Sequence, residues 1–221
     1  MTSSVTSAQN SLMLVESARY ALLRRLAFSI RHQMVAHLQP IGMVTELLER
    51  RLRAPSPDMV QVHDSVTKIN GLSKAAAQDT LDVITWMAPE PGATAAMEEV
   101  VKDTVSLLRG NFSFRGFSLR GDVQQPQPVG RAAARMLLPA ALLALTDTLE
   151  GPAEVVIESR LGEDVVIVDL TVRPTEGDGS FENQLSYRAI QWHEVKALAG
   201  AEDVELAYTE DRATLTFPVL E

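Results

Sequence analysis

Between Ala27 and Leu48 the apolar positions recur with the period of a helix. At about 100° per residue, with Ile30 set at zero, Met34, His37, Ile41, Val44 and Leu48 fall within about 40° of one line. That line predicts a buried seam containing His37. His32 lies about 200° round from it, on a face shared with Arg25, Ser29, Ala36, Gln39 and Met43, and the same arithmetic predicts it exposed.

The helical period extends from Ser11 to Leu52, with Leu22, Leu23 and Leu26 leading into the seam. Pro40 lies inside this stretch, where its missing N–H predicts a bend. Ser56 is placed to cap a second helix, with Pro57 at its first position and Asp58 in its first turn. Met59, Val62, Val66, Ile69, Leu72, Ala76, Val83 and Met87 give that helix its apolar stripe, and Pro89-Glu90-Pro91-Gly92 stops it. Two long helices joined by a short turn predict an antiparallel hairpin, completed as a four-helix bundle by homodimerisation.

Beyond Gly92 the period changes. Ala96 to Leu108 predicts a helix, Phe117 to Val123 a strand, and Val129 to Leu149 a second helix bent at Pro139. Val155 to Arg160 and Val165 to Arg173 predict a hairpin around Leu161-Gly162-Glu163-Asp164. Residues 174–183 read as a loop, with Asp178-Gly179 as a turn; Gln184 to Ala199 reads as a helix stopped by Gly200. Val204 to Tyr208 and Ala213 to Phe217 close the chain as a last hairpin. The fold class is α+β: a helical hairpin followed by an α/β sandwich. The expected divisions are a flexible N-terminus at 1–10, a hairpin domain at 11–88 and a mixed domain at 93–221.

Composition narrows the function classes. A net charge of −9 argues against nucleic acid or an anionic membrane as main partner. The absence of cysteine excludes disulfides, thiolate metal sites and a Cys nucleophile. The first twenty residues lack a signal-peptide layout, and the nearly apolar run from Met136 to Leu145 is about half a membrane span. These features predict a cytoplasmic protein. His63 and His193 show no ligand spacing and read as structural or surface groups.

The stretch Arg31-His32-Gln33-Met34-Val35-Ala36-His37-Leu38-Gln39-Pro40-Ile41-Gly42, followed by Glu46-Leu47-Leu48, resembles the phosphoacceptor box of bacterial two-component histidine kinases. In element order, down to Thr216-Phe217-Pro218, the second half resembles the kinase ATP-binding domain. The chain departs from that pattern in its chemistry. No Asn occurs between Asn111 and Asn183, Leu143 and Asp147 stand where two magnesium-binding asparagines are expected, and residues 173–179 are only a poor echo of the glycine-rich motifs. The combination is similar to the histidine phosphotransferases of phosphorelays, of the ChpT-like and sporulation-relay type.

That resemblance implies His32 as phosphoacceptor, Gln33 as orienting group in place of the usual acidic residue, and Arg25 and Arg31, with Arg24, as positive charge for the phosphoryl oxygens. It implies no ATP, no cofactor of the chain's own, and a response-regulator receiver domain, or a hybrid kinase, as partner supplying the aspartate and magnesium. A neutral imidazole with an ordinary pKa near 6.5 is a competent nucleophile at neutral pH. A different class of function remains open: a non-catalytic scaffold that binds a receiver or kinase without chemistry, for which Gln33 speaks. A true ATP-dependent kinase is the third reading.

Overall fold

The computed structural model describes residues 2–149, 151–176 and 187–220. The chain forms two compact units, one of residues 29–88 and the other of the segment before it together with residues from Pro89 onward. The division falls inside α1 (Thr2–Leu52), which runs through Pro40 as one helix. The expected domain of residues 11–88 therefore does not coincide with a compact unit. Residues up to Phe28 belong with the α/β part.

The hairpin unit is the C-terminal part of α1 joined to α2 (Met59–Met87). The α2 cap is Asp58, not Ser56: its carboxylate accepts from the backbone N–H groups of Val60 at 3.0 Å and Gln61 at 3.4 Å. An extended backbone at Asp58 (φ −76°, ψ 103°) aims the side chain back at those N–H groups, which have no partner within the helix. The two helices are strapped near the turn by Arg51. Its Nη1 donates to Ser65 Oγ at 2.7 Å and to the Gln61 carbonyl at 3.0 Å. The seam residues Ile30, Met34, His37, Ile41, Val44 and Leu48 are each half-buried in the single chain rather than sealed.

The α/β unit is built on a five-stranded sheet of order β2-β4-β5-β7-β6. Its strands are β2 (Phe117–Gly121), β4 (Ala153–Leu161), β5 (Val165–Pro174), β6 (Glu205–Tyr208) and β7 (Arg212–Pro218). β2 pairs parallel with β4, in the register Phe117 to Ala153, and the remaining pairs are antiparallel. Alternate residues point inward: Val155 and Ile157, then Val166, Val168, Leu170 and Val172, then Ala213, Leu215 and Phe217. Onto that face pack α3 (Met97–Phe114), α4 (Arg131–Thr146) and α5 (Trp192–Ala201). A small antiparallel pair, β1 (Thr94–Ala96) with β3 (Pro128–Gly130), ties the start of α3 to the start of α4. Gly116, at φ 80°, makes the left-handed turn from α3 into β2 that a side chain would resist.

The outer face of the sheet carries a polar cluster. Asp169 accepts from Thr214 Oγ1 at 2.7 Å and pairs with Arg212 at 2.9 Å. The α+β class and the strand pairs match expectation, while helix boundaries moved. Val129 proved to be a strand residue, its helix beginning at Arg131. The last helix begins at Trp192, not Gln184, because Gln191 and Glu194 form a capping box. It runs through Gly200 to Ala201, followed by Asp203 in the left-handed region. Asp178-Gly179 and residues 184–186 lie outside the described residues. No helix among the described residues is long and apolar enough to cross a membrane.

Candidate functional site

In the hairpin unit, one turn of α1 carries the residues singled out by the sequence. Arg31 and His32 are both exposed, as the periodicity predicts. Gln33 and His37, four apart and therefore on one helix face, turn instead toward α2. There both meet a single carboxylate: Gln33 Nε2 donates to Asp79 Oδ1 at 3.2 Å, and His37 Nδ1 lies 2.7 Å from Asp79 Oδ2. Asp79 is buried, with its side chain 10% exposed, whereas the His37 side chain remains 32% exposed. His37 is thus hydrogen-bonded as a packed histidine should be, yet its side chain keeps partial exposure. Gln33 follows His32 in sequence but directs its amide to Asp79.

Asp79 was not singled out by sequence reasoning, although a signal exists. It falls in the α2 stripe between Ala76 and Val83, where an acidic residue is costly unless it finds a partner across the hairpin.

In the α/β unit, Arg25 requires a correction. Placed by periodicity on the open face, it is instead 2% exposed and ion-paired to Asp147 at 2.5 Å. The reason lies in α1 itself. Val15, Ala18, Ala21, Leu22, Leu26 and Arg25 are all buried there, and their mean direction is roughly a quarter turn from the seam that begins at Ile30. A single stripe cannot be extrapolated along a helix that packs in two different environments. Arg24 is exposed, with its guanidinium 5.3 Å from the centre of the Tyr187 ring.

Asp147 sits at the end of α4 and has both oxygens engaged. Oδ1 takes Arg25 and Arg115, the latter at 3.2 Å, and Oδ2 accepts from the Ile190 backbone N–H at 3.1 Å. Arg115 also donates to the Thr146 carbonyl at 2.8 Å and lies over the Phe117 ring at 5.0 Å. Burial pushes Asp147 above the ordinary carboxylate range against the pull of both arginines, and lowers the Arg115 guanidinium to about 10. One turn earlier, Leu143 is buried and apolar. Of this pair, Leu143 offers no donor atom, and Asp147 is engaged by two guanidinium groups and a backbone N–H. Among the described residues, no group of three or more His, Asp or Glu is arranged to hold a metal ion.

The sequence matches no known family and no curated protein. Among solved structures, the fold is similar to the histidine kinase AdeS of Acinetobacter baumannii, at 15% identity and a TM-score of 0.42, over 82% of this chain and 98% of that one. A structure described as a bacterial phosphotransferase is similar at 13% identity and 0.41, over 89% and 95%. A histidine kinase from Burkholderia phymatum STM815 is similar at 17% identity and 0.39, over 90% and 96%. These are likenesses of element layout, and family membership does not follow from them.

Proposed function

We propose that the chain is a histidine phosphotransferase of a two-component phosphorelay. It passes phosphoryl groups between receiver-domain aspartates through His32 and draws none from ATP. The observation that carries this reading is the exposure of His32, with Arg31 beside it, on the open side of a helical hairpin. A receiver domain is bulky and needs such a surface. The engagement of Asp147 by Arg25 and Arg115 supports the absence of an ATP-dependent step, since phosphoryl transfer from ATP relies on a metal and phosphate clamp. In the transfer itself, the imidazole nitrogen attacks phosphorus, the receiver carboxylate leaves, and Arg31 offsets charge on the phosphoryl oxygens. Magnesium is expected on the receiver, and the chain is expected to act as a homodimer.

A second reading, a scaffold that binds a receiver without chemistry, is favoured by one observation: Gln33 cannot take a proton and its amide is committed to Asp79. Incubation with a cognate receiver carrying labelled acyl phosphate separates the two. The relay requires label mapped to residue 32 and lost in His32→Ala. Binding of the receiver without label at that position would overturn it in favour of the scaffold.

A further inference from the structure

We propose that His37 is a second reactive imidazole, accepting phosphoryl groups at Nε2 from small acyl phosphates, with Asp79 as its positioning residue. A carboxylate can only accept hydrogen bonds, so the 2.7 Å contact requires the proton on His37 Nδ1. In the neutral ring that fixes the tautomer: the lone pair is left on Nε2, and the ring cannot present the opposite arrangement without losing the bond. Gln33 holds the other oxygen of Asp79 at 3.2 Å, so the carboxylate is anchored from both sides of one helical turn. The Asp79 side chain is 10% exposed and the His37 side chain 32% exposed in the single chain, so the carboxylate sits deeper than the ring it holds. A buried carboxylate behind a partly open imidazole is the arrangement that activates histidine as base or nucleophile elsewhere in protein chemistry.

The step balances without a further reactant. The Nε2 lone pair attacks phosphorus, the bond from phosphorus to the acyl oxygen breaks, and the carboxylate leaves with its electron pair. The ring keeps the Nδ1 proton and becomes cationic, and the Asp79 carboxylate faces that charge. Hydrolysis or transfer onward reverses the charge change. Nothing in this step needs His32 or a receiver, so it stands or falls separately from the relay.

Acetyl phosphate is the probe, and the full chain is the protein. In His32→Ala, label from acetyl phosphate is expected on residue 37, absent in the His32→Ala, His37→Ala double variant. Adding Asp79→Asn to His32→Ala is expected to slow labelling at least tenfold, since the amide keeps the shape but not the charge. Nitrogen-15 shifts of the neutral form of the wild-type His37 ring are expected to show Nδ1 protonated and Nε2 bare, a readout that does not depend on how the Asp79 variant folds. No label on residue 37, labelling indifferent to Asp79→Asn, or the opposite tautomer would each overturn the proposal. A negative result here with receiver-derived label on His32 leaves the relay intact, and the converse result leaves His37.

Discussion

At the scale of single residues, acidic groups with opposite displacements set how stability responds to pH. Glu194 is held below the ordinary carboxylate range by hydrogen bonds from Arg188, at 2.6 and 2.8 Å, against the opposing effect of burial. Burial pushes Asp169 upward, but bonds from Thr214 and Arg212 outweigh it and its pKa is lowered too. A lowered folded-state value means stabilisation that is present above the unfolded pKa, about 4 for these groups, and is lost as pH falls through the folded value. Asp147 is displaced upward and has the opposite sign: its contribution is present at acid pH and fades as pH rises through its folded value. Melting temperature is therefore expected to fall on acidification below about pH 4, with a shallower acid limb in Glu194→Gln. Thermal melts across that range check this, and an unchanged limb in the variant would assign the acid sensitivity elsewhere.

At the scale of elements, the buried trio of Arg25, Asp147 and Arg115 ties the N-terminal part of α1 into the α/β unit. Removing Arg25 leaves Asp147 still compensated by Arg115, so Arg25→Ala is expected to cost about 3 kcal/mol, the lower end for breaking a buried pair. Asp147→Asn instead strands two buried guanidinium groups and is expected to cost more, about 5 kcal/mol. Urea unfolding measures both, and equal costs would mean that the trio does not share its charge in this way. His32→Ala, on an exposed face, serves as the comparison and should move stability by no more than about 0.5 kcal/mol.

At the scale of the whole molecule, the hairpin carries more apolar surface than its two helices cover. Leu38 and Ile84 are about half exposed, and Leu47 and Leu81 are exposed as well. Proposed dimerisation through this surface predicts that sedimentation analysis finds a dimer at micromolar concentration. Leu81→Asp should shift it to monomer without unfolding the α/β unit, because it places a charge where apolar surface is buried only in the assembly. A monomeric wild-type protein would remove the dimer from the proposal.

What the chain dictates by itself is whatever depends on local period and local chemistry. The helical hairpin and the strand pairs follow from spacings of 3.6 and 2 residues, and the exposure of His32 follows from its angle to Ile30. Tertiary structure decided what depends on a partner distant in sequence. Arg25 became buried because Asp147, 122 residues away, supplied its counter-charge. Gln33 turned toward α2, and His37 of the seam gained its hydrogen-bond partner, because Asp79, on the next helix, offered an acceptor to each. Periodicity can say which face of a helix a residue occupies. It cannot say which face will be covered when, as in α1, one helix is packed first against an α/β unit and then against its own hairpin partner, since that choice depends on charge and shape brought from elsewhere in the chain.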